Sequence, residues 1–300
     1  MDRIGIDLGG TKTEVAVIDS AGHTRFSKRA PTPRPYAEKI VVIASLVSEA
    51  REFCQSDSVS IGIGHPGSIN PATGKMRNAN STELNGHPLD KDIEAAIGQP
   101  VRCANDANCF ALSEAVDGAG AGASSVFGVI LGTGVGGGLV IDGKLHQGHG
   151  LLGGEWGHNG LPWPNQDEVP GRDCKCGLRG CMETWLSGPG LTDDHLNRSK
   201  AFLSPSQIVA AAIEGHSGAT LTMERFYDRL ARGLSTVINI VDPEVIVLGG
   251  GLSNINGLAD AVLERLPAYV FSDQVTTKVR KHKHGDSSGV RGAAWLWPLE

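Results

Sequence analysis

Two stretches of this 300-residue chain repeat one pattern. Residues 4–19 read IGIDLGGTKTEVAVID and residues 127–142 read FGVILGTGVGGGLVID, and six positions are identical at one constant offset. Each copy has a β-rich run, a turn rich in glycine and threonine, a second β-rich run and a polar turn, which is typical of a β-hairpin. The repeat predicts two halves of similar build.

The rest of the chain alternates helical and strand patterns around these hairpins. Apolar residues at helical spacing predict helices at 37–53, 107–116, 221–240 and 258–266. The short apolar runs VSIGIGHPG, PVRCAND, SSVFGVIL and PEVIVLGGG predict buried strands. The expected fold is α/β, a mixed sheet with flanking helices in each half, and the small-residue segment Gly118–Gly122 marks the expected boundary.

Charge and hydropathy limit the function classes. The formal net charge is -6 and the one short basic run is Lys281–His284, so the chain carries no electrostatic footprint for nucleic acid. The longest apolar stretch, Val126–Ile141, is glycine-rich and too short to span a membrane. The N-terminus has no signal-peptide profile, so we expect a cytoplasmic protein without membrane or nucleic-acid partners.

Both hairpin turns are candidate phosphate sites. DLGGTK at 7–12 places a carboxylate before glycines whose backbone N–H groups can approach an anion, although a plain glycine hairpin explains one such turn equally well. The second turn, LGTGVGGG at 131–138, favours phosphate binding, because two structural turns would not need this much glycine.

The second turn also matches the dinucleotide-binding pattern GxGxxG at Gly132, Gly134 and Gly137. That pattern requires a helix to begin at the glycines, whereas a second strand follows here, so the dehydrogenase interpretation is disfavoured. The P-loop pattern GxxxxGK[ST] is absent from the sequence.

Asp106 is the candidate catalytic base. It follows the strand PVRCAN and precedes the helix ANCFALSEAV, where it could accept a proton from a substrate hydroxyl. The alternative is that Asp106 only caps the helix, a common role for aspartate. A weak base is sufficient for phosphoryl transfer, in which positioning of the nucleophile dominates.

One histidine and three cysteines form the strongest chemical signal. His158 is followed by CKCGLRGC, which contains Cys174, Cys176 and Cys181, and a Cys₃His set suits tetrahedral zinc. Four protein ligands leave no open position, so the zinc is expected to be structural. Glu155 and Glu183 lie beside this loop and become candidates for binding sugar hydroxyls.

The motifs together resemble the ROK family of sugar kinases and repressors. The matching segments occur in family order over essentially the whole chain: DLGGTK, GHPG, NDAN, LGTGVGGG, GEWGH, CKCGLRGCME and VIVLGGGLS. The resemblance implies an actin-like ATPase fold with two RNase H-like domains around a cleft, at 1–118 and 123–286. A helix at about 287–300 would return to the first domain.

The resemblance also implies roles for individual residues. Asp106 would be the catalytic base, Asp7 would serve magnesium, and His158 would serve both zinc and sugar. The sugar contacts would be Asn80, Asn105, Asp106, Glu155, His158 and Glu183. The ATP site would comprise Gly5, Ile6, Asp7, Leu8, Gly9, Gly10, Thr11, Lys12, Thr133, Gly134, Val135, Gly136, Gly137, Gly138, Gly249, Gly250 and Gly251, with the last three facing the adenosine.

Three interpretations remain open from the sequence: a hexose kinase, a sugar-binding regulator without catalysis, and the disfavoured oxidoreductase. Family repressors carry a helix-turn-helix ahead of the first hairpin, which here begins at Ile4, so the kinase is preferred. NANSTELNGHPLDKDIE, NDANCFALSEAVDGA and HGDSSGVRGAAWLWP most resemble bacterial fructokinases, with N-acetylglucosamine kinases as the nearest alternative. The expected activity is ATP-dependent phosphorylation of fructose at O6, with mannose or glucose as weaker acceptors, by a homodimer.

Overall fold

The computed structural model describes residues 2–298, which are all residues except Met1, Leu299 and Glu300. Its strands are β1 (Arg3–Leu8), β2 (Lys12–Ile18), β3 (Thr24–Pro31), β4 (Ser60–His65), β5 (Ser68–Asn70), β6 (Lys75–Arg77), β7 (Arg102–Asn105), β8 (Ser125–Leu131), β9 (Val135–Ile141), β10 (Lys144–Leu145), β11 (Val245–Gly249) and β12 (Lys278–Lys281). Its α-helices are α1 (Tyr36–Cys54), α2 (Leu89–Ile97), α3 (Asp106–Val116), α4 (Glu183–Leu186), α5 (Gly188–Ser199), α6 (Pro205–Ile213), α7 (Ser217–Val241), α8 (Leu258–Leu263) and α9 (Ser288–Ala294).

Each predicted hairpin belongs to a five-stranded sheet. The first sheet has the order β3-β2-β1-β4-β7 and the second has the order β10-β9-β8-β11-β12. In the first, β1 pairs antiparallel with β2 and parallel with β4; in the second, β11 pairs parallel with both β8 and β12. The two sheets therefore share one strand order, and the predicted repeat is confirmed as a structural repeat.

The described residues group into two compact units. The first contains the described residues up to Gly122, then Gly138–Gly154, and the described residues from His284 onward; the second contains Ala123–Gly137 and Glu155–Lys283. The domain limits expected from the sequence stay a prediction, to be tested by limited proteolysis. Within residues 2–298, no helix is both long and apolar enough to cross a membrane.

The core of the first unit explains why β1 and β4 contain glycine. Ile4 and Ile6 of β1 are fully buried, as are Ile61 and Ile63 of β4, because apolar side chains cover these central strands. A side chain at Gly62 would overlap the carbonyl of Ala293 in α9. The glycine thus lets α9 approach the sheet closely. The helix expected at about 287–300 is shorter in the structure: α9 covers Ser288–Ala294 and belongs to the first unit, residues 295–298 continue without helix, and residues 299 and 300 lie outside the described residues.

A buried ionic network stabilises the second unit. Glu168 accepts hydrogen bonds from Arg229 at 2.7 Å and from Arg232 at 3.0 Å, and Arg229 also donates to Asp194 at 3.0 Å. Burial opposes ionisation of Glu168, but the hydrogen bonds from the arginines and from Asn165 prevail and lower its pKa to about 2. The network links α7 to α5 and to the segment that precedes the cysteine motif.

Candidate functional site

The first glycine turn joins β1 to β2 and is closed by its own backbone. Gly9 N donates to Lys12 O at 3.0 Å, and a Cβ at Gly9 would lie 2.7 Å from that oxygen. Neither Gly9 nor Gly10 has a positive φ. Glycine is needed at position 9 because the backbone of Lys12 comes too close for a side chain, and not because the turn adopts a left-handed conformation. Thr11 and Lys12 complete the turn, whose tip at Gly10 to Lys12 is exposed.

Asp7 lies at the base of this turn, in register with Glu14 of β2. The pKa of Asp7 is raised to about 7, mainly by burial and also by the nearby carboxylates of Asp106 and Glu14, which outweigh the lowering effect of Lys12 and Arg29. A cation bound at Asp7 would offset the burial and the repulsion that disfavour the charged form of this carboxylate. An oxygen-ligand site of this kind suits magnesium.

The raised pKa of Asp7 predicts a specific pH dependence of stability. Because the folded pKa lies above the unfolded one, the contribution of Asp7 to stability is lost as pH rises from about 4 to about 7. We expect Asp7→Asn to remove this loss and to stabilise the protein by at least about 1 kcal/mol at pH 8, with little gain near pH 4. Thermal unfolding of both proteins across this range, without metal or nucleotide, measures it. An equal difference at every pH would contradict the assignment.

The sequence left open that Asp106 acts only as the cap of α3. In the structure, the N-cap position belongs to Asn105 instead. Asn105 is the N-cap of α3, since its Oδ1 accepts a hydrogen bond from Ala107 N at 2.9 Å, and its Nδ2 donates to Gly67 O. Asp106 is the first residue of the helix, also accepts from Ala107 N, and is exposed. The cap is therefore Asn105, and the Asp106 carboxylate projects from the strand end with access to solvent.

Asn80 lies in a loop that approaches the first turn. The loop is closed at its base by reciprocal hydrogen bonds between Asn85 and Ala79, and Asn80 itself is exposed. Ser81 Oγ would lie 3.3 Å from a Cβ at Gly10. In the first unit, the structure thus brings the loop that carries Asn80 close to the first glycine turn.

The second glycine turn joins β8 to β9. Gly132 N donates to Gly134 O at 3.0 Å, and Gly132 O accepts from Gly188 N at 2.8 Å. A Cβ at Gly134 would lie 2.7 Å from Glu183 Oε2. As in the first turn, the glycine permits a close approach, here by a carboxylate. Thr133 lies at this turn, and Val135, Gly136, Gly137 and Gly138 continue into β9.

Gly249 is the last residue of β11 in the second unit, and Gly250 and Gly251 follow it. Gly250 has a φ of 78°, and a Cβ there would lie 2.5 Å from Leu131 O. Gly251 begins a 3₁₀ turn and is exposed. In the first unit, by contrast, Ile6 and Leu8 point into the core and Gly5 packs under α9, so these three residues support the first turn from within β1.

The predicted Cys₃His set is assembled in the second unit. One ligand atom from each of His158, Cys174, Cys176 and Cys181 lies within 4.8 Å of the others. Cys174 Sγ is 3.5 Å from His158 Nδ1, and Cys176 Sγ is 3.6 Å from Cys181 Sγ. Tetrahedral zinc with ordinary bond lengths requires N–S separations of about 3.5 Å and S–S separations of about 3.8 Å. The residues present fit a zinc ion.

The backbone of this metal loop, residues 172–183, has the tight wrap expected from its glycines. Gly177 and Gly180 have φ values of 88° and 74°, a region that L side chains rarely adopt. Burial raises the pKa of Cys181 to about 12, whereas a hydrogen bond from Leu178 N lowers the pKa of Cys176. A metal ion would displace the remaining thiol protons, since thiolates are the ligating form.

Glu155 and Glu183 both lie next to this cluster. Glu155 is half-buried and precedes the 3₁₀ turn Trp156–His158, which Trp156 Nε1 fixes by donating to Gly136 O at 2.9 Å. Glu183 is the last residue of the metal loop and the first of α4; it accepts a hydrogen bond from Val135 N at 3.0 Å and pairs with Lys175 at 3.2 Å. Lys175 was not among the residues singled out from the sequence, although its position between two cysteine ligands restricts where it can lie.

Comparisons with known proteins agree with this description. The sequence profile of the ROK family matches residues 3–300. The chain is 41% identical to an N-acetyl-D-glucosamine kinase of Pasteurella multocida, over 98% of this chain and 99% of the relative. It is 40% identical to an N-acetyl-D-glucosamine kinase of Yersinia enterocolitica, with 97% and 98% covered.

Solved structures of ROK kinases have a fold similar to that of this chain. A ROK hexokinase from Thermus thermophilus has a TM-score of 0.87 at 29% identity, with 99% of this chain and 97% of that chain covered. A ROK glucokinase from Streptomyces griseus, solved with glucose and AMPPNP, has a TM-score of 0.80 at 28% identity, with 99% of both chains covered.

These relatives do not support the expectation that the chain is most like fructokinases, because the curated proteins named above are N-acetyl-D-glucosamine kinases. The family itself is established by the profile match over nearly the whole chain together with the relatives at about 40% identity. The chain belongs to the ROK family and has the actin-like ATPase fold of that family's kinases.

Proposed function

We propose that this protein is an ATP-dependent kinase that phosphorylates the 6-hydroxyl of a hexose. The observation that carries the proposal is Asp106, whose exposed carboxylate stands at the end of β7 while Asn105 provides the helix cap. An exposed carboxylate at this position can accept the proton of the attacking hydroxyl as the γ-phosphoryl group is transferred.

The remaining polar residues are assigned to the two substrates. Glu155, His158 and Glu183 are proposed to bind sugar hydroxyls, together with Asn80 and Asn105. The turn from Gly9 to Lys12 and the turn at Thr133–Gly134 are proposed to bind the phosphates of ATP, with the adenosine at Gly249–Gly251. Backbone N–H groups at such turns bind anions without requiring cationic side chains.

Two metal ions complete the proposal. Magnesium would be served by Asp7 and would neutralise phosphate charge when bound with ATP. Zinc would be held by His158, Cys174, Cys176 and Cys181, and its role would be structural because four protein ligands fill a tetrahedral site. The oligomeric state expected from the resemblance, a homodimer, remains a prediction.

The sugar acceptor has two candidates. N-acetyl-D-glucosamine is the one we propose first, because the chain is 41% identical to a kinase of that name over nearly its full length. Fructose is the second candidate, favoured by the three fructokinase-like segments, of which residues 78–94 include Asn80. A buried polar pocket fitted to one acceptor disfavours the other, because groups left unpaired are costly.

Comparison of kcat/KM for N-acetylglucosamine, fructose, mannose and glucose at saturating Mg-ATP tests the acceptor. Unpaired buried polar groups can discriminate by about 10²-fold or more, so we expect one acceptor to stand clearly apart. If fructose exceeds N-acetylglucosamine, the first candidate is wrong and the kinase proposal stands. If none of the four is phosphorylated, the hexose kinase proposal itself is wrong.

A further inference from the structure

One side chain joins the metal loop to the second glycine turn. Glu183 Oε2 accepts the hydrogen bond of Val135 N at 3.0 Å, and Glu183 Oε1 lies 3.2 Å from Lys175 Nζ. Only 13% of the Glu183 side chain is exposed, so its carboxylate is largely shielded from water. Glu183 therefore restrains the backbone of the turn and the loop together.

This arrangement places a negative charge where an anion is proposed to bind. Glu183 Oε2 comes close enough to Gly134 that a Cβ there would lie 2.7 Å from it. An unpaired carboxylate at this position would repel phosphate, since like charges a few ångströms apart interact strongly in a partly dry site. A phosphate-binding turn next to Glu183 consequently requires a compensating cation.

Lys175 provides a cation next to Glu183. Its position is fixed by the metal ligands Cys174 and Cys176 on either side, and its Nζ would lie 4.0 Å from a Cβ at Gly134. About half of its side chain, 49%, is exposed. The ammonium can thus pair with Glu183 and still face solvent near the turn.

We propose that Lys175 is a positioning residue for the phosphates of ATP. It neutralises Glu183 and keeps that carboxylate on Val135 N, so that the turn accepts an anion. Through Lys175, the metal loop contributes to nucleotide binding as well as to folding. The inference rests on the proposed function, because it needs the turn at Thr133–Gly134 to bind phosphate.

The alternative is an ordinary surface ion pair, which typically contributes little to stability. Nucleotide affinity separates the two interpretations, because a surface pair that only adds stability would leave that affinity unchanged.

We expect Lys175→Met to weaken binding of magnesium AMPPNP by about 3- to 10-fold, measured by calorimetry without sugar. Lys175→Arg should retain most of the affinity. The difference from the wild type should shrink near 1 M salt, where the screening length is about 3 Å.

Arg179→Met is the matched control. Arg179 is a cation of the same loop, 56% exposed, and its Nε pairs with Asp173 at 2.8 Å instead of with Glu183. This variant should bind AMPPNP as the wild type does. Metal content and melting temperature are measured for each protein, and all three variants should keep both.

Wild-type affinity in Lys175→Met would overturn the inference while leaving the proposed function intact. Loss of metal from Lys175→Met, or equal weakening in Arg179→Met, would also overturn it, because the effect would then come from the loop as a whole. If the wild-type protein itself does not bind magnesium AMPPNP, the proposed nucleotide site is wrong and this inference falls with it.

Discussion

Asp106→Asn is expected to lower kcat by about 10²- to 10⁴-fold, the range typical for loss of a general base. Asparagine has nearly the same shape and keeps an oxygen that can accept the hydrogen bond from Ala107 N, so the start of α3 should be preserved. Nucleotide affinity and the melting temperature should therefore change little. Steady-state kinetics, calorimetry with magnesium AMPPNP and thermal unfolding provide the three measurements.

Asp260→Asn is a suitable control for this substitution. Asp260 is an exposed carboxylate in the first turn of α8, so its replacement alters helix-terminal charge without touching the proposed site. It should keep wild-type turnover. Near wild-type turnover in Asp106→Asn would show that Asp106 is not the base and that its carboxylate has only a structural role.

The second large effect concerns the metal cluster. We expect one zinc ion per chain, and we expect Cys181→Ser to lose it, because serine is a poor ligand for a site built from thiolates. Structural zinc adds its binding free energy to folding, about 10 kcal/mol or more in small zinc domains, so the melting temperature should fall steeply. Elemental analysis and thermal unfolding of the purified proteins measure both effects, and a strong chelator should reproduce the loss of stability in the wild type.

Cys54→Ser provides the comparison for this variant. Cys54 is a half-buried cysteine at the end of α1, outside the cluster, and its replacement should leave the metal content unchanged. Active wild-type protein that contains no zinc would contradict the assignment. So would a Cys181→Ser protein that keeps one zinc ion per chain.

The sequence predicted the elements that have clear apolar periodicity. The helix expected at 37–53 is α1, Tyr36–Cys54, and the helix expected at 221–240 lies within α7, Ser217–Val241. The edge strands β3 and β12 were not predicted. Their sequences, TRFSKRAP and KVRK, are mostly exposed and contain three basic residues each, as is common for edges that must not pair with other chains. Such strands are defined by pairing with their neighbours rather than by their own residues.

The residues of the candidate site also fall into some that the sequence could predict and some that it could not. The grouping of the candidate metal ligands could be predicted because three of them lie within eight residues, where spacing alone limits the geometry. The contact of Glu183 with Val135 could not, because 48 residues separate the two and only the packing of α4 against the second turn brings them together. The capping role of Asn105 depended on a choice between adjacent residues that propensity does not resolve.

The most direct test of the whole account is to identify the products of one reaction mixture. Purified protein, magnesium ATP and each of the four sugars are incubated, and phosphorus NMR follows ATP, ADP and any new phosphomonoester. We predict that ADP and a hexose 6-phosphate form in equal amounts with at least one sugar, and that Asp106→Asn forms neither at a comparable rate. ATP left unchanged with every sugar, or ADP formed with inorganic phosphate and no sugar phosphate, would contradict it.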